Sequence, residues 1–96
     1  MSIRKHGRTN WRDQAAGLLE LPKDLLLDLP RITLTGSLQL SVENHRGLQL
    51  YSEQEIVIRA GQNLLIRVKG QDLQLGVVYD EEITVVGQIE SVSFQQ

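Results

Sequence analysis

Between Ile32 and Val42 the apolar residues Ile32, Leu34, Leu38, Leu40 and Val42 all stand at even positions, with Gly36 filling the gap in the series. A period of two gives an extended chain one apolar face, which is the pattern of a half-buried strand and not of a helix. The same parity runs on through Leu48 and Leu50, Ile56 and Ile58, and Leu64, Ile66 and Val68. Past Gly70 the apolar set moves to odd positions, Leu73, Leu75, Val77 and Tyr79, then Ile83, Val85 and Ile89, before Val92 and Phe94 restore even parity. One inserted residue re-aims every side chain that follows it, so the last change predicts a β-bulge near Glu90-Ser91. From Ile32 onward the chain must be a sheet protein.

Turn-forming residues divide this region at Asn44 to Gly47, Gly61-Gln62-Asn63, Gly70-Gln71-Asp72, Asp80-Glu81-Glu82 and Gly87. Ile32 to Val42 reads as one long strand bent at Gly36, after which the chain folds back through Glu43 to Gly47. Seven or eight short strands with one apolar face each close as a two-sheet sandwich or a small barrel. A solenoid is excluded because Gly36, Gly47, Gly61, Gly70 and Gly87 keep no fixed period. The expected fold is all-β, a small antiparallel β-sandwich of immunoglobulin-like architecture, without the Cys and Trp hallmarks of that family. Residues 31–96 form this domain, and 96 residues suffice for a single core without metal or disulfide staples.

Residues 1–30 read differently. Met1 to Gly7 lacks periodicity and is expected to be disordered. Thr9 or Asn10 can cap a short helix whose apolar face is Trp11, Ala15, Leu18 and Leu19, ending at Pro22. Gly17 weakens that helix, which therefore needs a surface to pack on. Between Pro22 and Pro30 a Leu-rich connector predicts one helical turn that covers an open end of the sheet with Leu25, Leu26 and Leu29. The alternative is an exposed apolar patch that marks a partner site.

Charge is unevenly placed. Arg4, Lys5, Arg8 and Arg12 fall within the first twelve residues without an acid, leaving six basic against twelve acidic residues for the remainder. A basic head on an acidic body suits an anionic surface better than nucleic acid, so no nucleic-acid partner is expected. Beside Trp11 and the Leu18-Leu19 face, these cations either place the segment on an anionic membrane or serve as a solubilising tail. There are no cysteines, which excludes disulfides and thiolate metal sites and agrees with a reducing cytoplasm. No apolar run approaches the roughly 20 residues of a bilayer span, and no secretory signal is seen, so the expectation is a soluble, unexported protein.

Chemistry-bearing constellations are sparse. His45 lies among Glu43, Asn44 and Arg46, but a general base needs a positioned partner and a pocket, and these neighbours fall in a turn. Asn44 and Gly47 then shape the turn, while Glu43, His45 and Arg46 hydrogen-bond across strand ends or contact a partner. Asp80, Glu81 and Glu82 lack the alternation of a calcium loop and read as a solvated turn. No glycine-rich phosphate cradle occurs. No cofactor, metal ligand or catalytic residue is assigned. Open strand edges at Leu64 to Lys69 or Ile89 to Phe94 offer pairing with a second copy, although Arg67 and Lys69 guard the first.

Leu29-Pro30-Arg31-Ile32-Thr33, Gly36, and Leu38-x-Leu40-x-Val42-Glu43-Asn44-His45-Arg46-Gly47 together resemble the signature of the YabP/YqfC family of bacterial spore-formation proteins. Leu21 to Pro30 is similar to the YqfC branch, and the likeness extends to about Glu90, with Glu43 to Gly47 as its most specific element. The resemblance implies a sporulation setting, the mother-cell cytoplasm near the membranes around the developing spore, and a membrane-embedded sporulation protein as partner. It implies no reaction. The expected function is therefore a non-enzymatic structural, assembly or adaptor factor, with Arg4, Lys5, Arg8, Trp11, Arg12, Leu18, Leu19, Leu25 and Leu26 as partner or membrane contacts. The competing expectation is a small-ligand-binding or hydrolytic domain that uses the Glu43 to Gly47 turn.

Overall fold

The computed structural model describes residues 27–79 and 81–96. They form six strands, β1 (Arg31–Thr35), β2 (Gln39–Glu43), β3 (His45–Tyr51), β4 (Glu55–Ala60), β5 (Leu64–Val78) and β6 (Glu82–Gln95). All pair antiparallel in one ladder of order β1-β2-β6-β5-β4-β3. The all-β antiparallel expectation holds. The expected Thr9-to-Pro22 helix and most of the Leu-rich connector lie outside the described residues.

A covalent constraint dictates the shape of this sheet. β2 and β3 are separated in the ladder by β6, β5 and β4, a span of roughly 19 Å if the sheet were flat. Only Asn44 connects them in the chain, and one residue reaches no more than about 7 Å between its neighbours' Cα atoms. The sheet therefore curls until β3 meets the end of β2. Leu40 and Val42 of β2 accordingly share one fully buried cluster with Ile56 and Ile58 of β4, Ile66, Val68 and Leu73 of β5, and Ile83 and Val85 of β6.

Six strands, not seven or eight, arise because two expected breaks are bends within longer strands. Gly70 and Leu73 of β5 donate their N–H groups to the carbonyls of Gln54 and Glu53 in the β3–β4 turn, at 3.0 and 2.8 Å. Gly87 and Ile89 of β6 donate likewise to Leu38 and Ser37 in the β1–β2 turn, at 3.1 and 2.8 Å. The bend is thus hydrogen-bonded from both sides and remains strand, which joins what were expected to be separate sheets. Close backbone approach makes glycine necessary there: a Cβ on Gly70 would collide with the Gln88 carbonyl, and one on Gly87, at φ +142°, would stand 2.7 Å from the Asp72 carbonyl. The bulge expected near Glu90-Ser91 is present, since Lys69 pairs with Ser91 and Gly70 with Ile89, leaving Glu90 unopposed.

Two further expectations are corrected. Ile32 to Val42 is not one bent strand but a hairpin, turning at Gly36 with φ +56°. Leu34 pairs with Leu40 and Ile32 with Val42, so both strands keep even parity and the sequence pattern cannot distinguish a hairpin from a bend. Nor does the chain form a hairpin through Glu43 to Gly47; Asn44 alone makes a corner, and β2 and β3 do not pair.

Candidate functional site

Asn44 has φ +63°, a left-handed conformation that Asn tolerates better than other residues with a Cβ. At this corner its N–H donates to the Glu81 carbonyl at 2.6 Å. Its side-chain amide donates to the carbonyls of Leu27 and Leu29, at 2.6 and 3.1 Å, and its Oδ1 accepts from Arg46 Nη1 at 3.1 Å. One side chain therefore ties the residues that precede β1 to the start of β3, while its backbone ties both to the β5–β6 loop.

His45 extends the same pattern. The Gly47 N–H donates to His45 Nδ1 at 2.9 Å, which leaves that nitrogen without a proton. Nε2 then carries the hydrogen and donates to the Tyr79 carbonyl at 3.2 Å. Both ring nitrogens are thus engaged by main-chain groups of the same chain, so in this arrangement neither is free to abstract a proton.

Arg46 closes the other side. Its Nη2 donates to Asp28 Oδ1 at 2.6 Å, and the second carboxylate oxygen of Asp28 accepts from Gln62 Nε2 at 2.7 Å. Gly61 makes room for this carboxylate, because a Cβ there would collide with Asp28. Gln62 and Asn63, at φ +63° and +57°, are the central residues of the Gly61-to-Leu64 turn between β4 and β5, which presents the Gln62 amide. Arg59 lies across Gly47 to donate to the Arg46 carbonyl at 3.2 Å. Beside these groups opens a cleft of about 530 Å³ lined by Asp28, Arg46, Gln49, Arg59, Gln62 and Asn63, among others. A second, about 670 Å³, lies beside Leu27, Leu29, Asn44, Tyr79 and Glu81.

Of the expected signature residues, the structure brings Asn44, His45, Arg46 and Gly47 into one network. Glu43 stands outside it, exposed at the end of β2 and opposite Arg31 and Glu82 in the ladder. Arg4, Lys5, Arg8, Trp11, Arg12, Leu18, Leu19, Leu25 and Leu26 lie outside the described residues, as does Asp80. Leu29 is half-buried and Glu81 contributes a backbone carbonyl, not a carboxylate. The residues that sequence reasoning missed are Asp28, Arg59 and Gln62, which no local signal marks because they meet the signature only in space. The Leu64-to-Lys69 edge is also corrected, since this half of β5 is paired on both sides, by β4 and β6.

A corner clamped in this way, on a single curled six-stranded sheet, defines a small all-β protein whose most specific sequence element is a structural joint. Residues 28–96 match the model of the YabP family, a segment that begins at the clamped Asp28. The chain belongs to the YabP/YqfC family. It is 38% identical over 94 residues to the uncharacterized protein YqfC of Bacillus subtilis, covering 98% of this chain and 97% of that one. No solved structure matches it.

Proposed function

We propose that this chain serves spore formation as a non-enzymatic structural, assembly or adaptor factor, in the mother-cell cytoplasm and against the membrane around the developing spore. Membership of the YabP/YqfC family supports the setting. The observation that carries the mechanical part is how the signature spends its polar groups: Asn44, His45 and Arg46 direct theirs to Leu27, Asp28, Leu29 and Tyr79 of the same chain. Such a joint fixes where the segment before β1 leaves the sheet, and so gives a partner bound to residues 1–30 a defined position against the domain. The partner proposed is a membrane-embedded sporulation protein, with an anionic lipid surface as the second contact of Arg4, Lys5, Arg8 and Arg12.

Recovery from sporulating cells tests this directly. The full chain is expected to retain a membrane protein that a chain lacking residues 1–30 loses; equal recovery by both would overturn the assignment. For the lipid contact, deletion of residues 1–12 is expected to abolish flotation with anionic vesicles, and undiminished flotation would remove it. A second reading has its own support in the 530 Å³ cleft between Arg46 and Arg59, which suits a small polar ligand. Loss of function in Gln49→Ala, which lines that cleft outside the joint, with fold and partner binding intact, would favour that reading.

A further inference from the structure

Four stretches of this curled sheet have no neighbouring strand on one side among the described residues: β1, β3, the second half of β5 and the second half of β6. They differ in readiness to accept another strand. β1 is five residues long, carries Arg31 and follows Pro30, which has no N–H to offer. β3 is interrupted twice, between His45 and Gly47 and between Leu48 and Leu50, and such bulges turn an edge away from pairing. The second half of β5 is interrupted between Gln71 and Gln74 and again between Leu75 and Val77. β6 differs from β3 and β5 in that its open stretch keeps an unbroken register, from Ser91 opposite Lys69 to Gln95 opposite Leu65, and from β1 in that it lacks the charge and the preceding proline.

That stretch, Ser91-Val92-Ser93-Phe94-Gln95, carries no charge and no proline, the residues that commonly guard an edge. It also holds a large exposed apolar side chain: Phe94 is 59% exposed, although it shares a sheet face with core residue Ile66, its partner in the ladder. Val92, two residues away on that face, is half-buried against the core.

We infer that the Ser91–Gln95 edge of β6 pairs antiparallel with the same edge of a second copy, about a two-fold axis through Ser93. The sequence is self-complementary in this register. Ser93 meets Ser93, Ser91 meets Gln95 in both directions, and Val92 meets Phe94. A two-fold axis perpendicular to the sheet keeps the apolar faces of both copies on the same side, so each Phe94 gains the Val92 of the second copy as a cross-strand neighbour. No like charges are opposed, and the backbone groups of the open edge become paired. The inference rests on the edge alone and stands whether or not the proposed sporulation role is correct.

The native chain lacks cysteine, which makes the register directly readable. Opposed residues of an antiparallel pair have Cα atoms roughly 4.5 to 5.5 Å apart, within disulfide range. Ser93→Cys is therefore expected to yield a covalent dimer under mild oxidation, whereas Thr35→Cys, on β1, is not. Light scattering of the wild-type full chain at about 100 μM, a level that detects even weak association, is expected to show twice the 10.9 kDa chain mass. The double variant Ser91→Glu with Gln95→Glu keeps its new acids beside Lys69 and Arg67 within each copy but opposes them across the axis. It is expected to stay folded and weaken association about tenfold or more. A wild-type monomer at that concentration overturns the inference. So does a dimer that the double variant leaves unchanged, or one in which Ser93→Cys does not cross-link.

Discussion

Two hairpins flank the bent β5–β6 pair and do the same job, each lending two turn carbonyls to the bend, yet they are held in different ways. In β4 the residues Ile56, Val57, Ile58 and Ala60 are all buried, and its hairpin is further fixed by Arg59 on the Arg46 carbonyl and by Gln62 on Asp28. In the β1–β2 hairpin only Leu40 and Val42 are buried, while Leu34 and Leu38 remain 53% and 66% exposed. The lesson is that one backbone arrangement is stabilised by core and clamp together on the β3–β4 side and by a narrow strip of core on the other.

This asymmetry is most easily broken by truncation. Ile58→Ala removes a side chain with no exposure at the centre of the core and is expected to cost about 3 to 4 kcal/mol in urea unfolding. Leu34→Ala, on the other hairpin, should cost less than about 1 kcal/mol; similar losses for the two would show the hairpins to be equally integrated. The turns offer a second contrast. Gly70→Ala forces a Cβ into the Gln88 backbone where the β3–β4 turn meets the bend, and is expected to lower stability by about 3 kcal/mol. Gly36→Ala in the β1–β2 turn meets no neighbour within 4 Å, so only the left-handed backbone is penalised, by about 1 to 2 kcal/mol.

The smallest expected effect lies on the outer surface of β4 and β5. There Arg67 pairs with Glu55, both side chains about 30% exposed or slightly less, and solvent screening reduces what such a pair is worth. A double-mutant cycle with Glu55→Gln and Arg67→Gln is expected to return a coupling of roughly 0.5 kcal/mol, falling in high salt. A coupling several times larger, insensitive to salt, would mean that this pair and not the core holds β4 to β5.

Much of this architecture was legible in the chain, and the reasons for the rest are physical. Parity exposed the strands, the even-to-odd change at Gly70 marked the bend, and the return to even parity located the bulge at Glu90. Parity could not reveal the hairpin at Gly36, because residues paired as Leu34 and Leu40 are lie on the same alternation. Val57 stands at an odd, nominally outward position and is buried nonetheless, with Leu50 and Arg67 beside it in the ladder. Of the signature residues, Asn44, His45 and Arg46 bond within the chain while Glu43 stands outside the network, and nothing in the sequence pairs them with Asp28 and Gln62. Asp28 lies 18 residues from Arg46 and 34 from Gln62, and no periodicity encodes a side-chain bond across such separations.

The central claim is that the Asn44-to-Gly47 signature is a joint that holds the sheet and the residues before it together. Asn44→Gly tests it most directly, since glycine keeps the left-handed corner and removes only the side-chain bonds to Leu27, Leu29 and Arg46. The joint predicts a loss of about 1 to 2 kcal/mol in urea unfolding, together with faster amide exchange in β1. Polar residues kept for chemistry commonly cost their protein stability. An unchanged or raised unfolding midpoint for Asn44→Gly would therefore contradict the joint and return the turn to the list of candidate active sites.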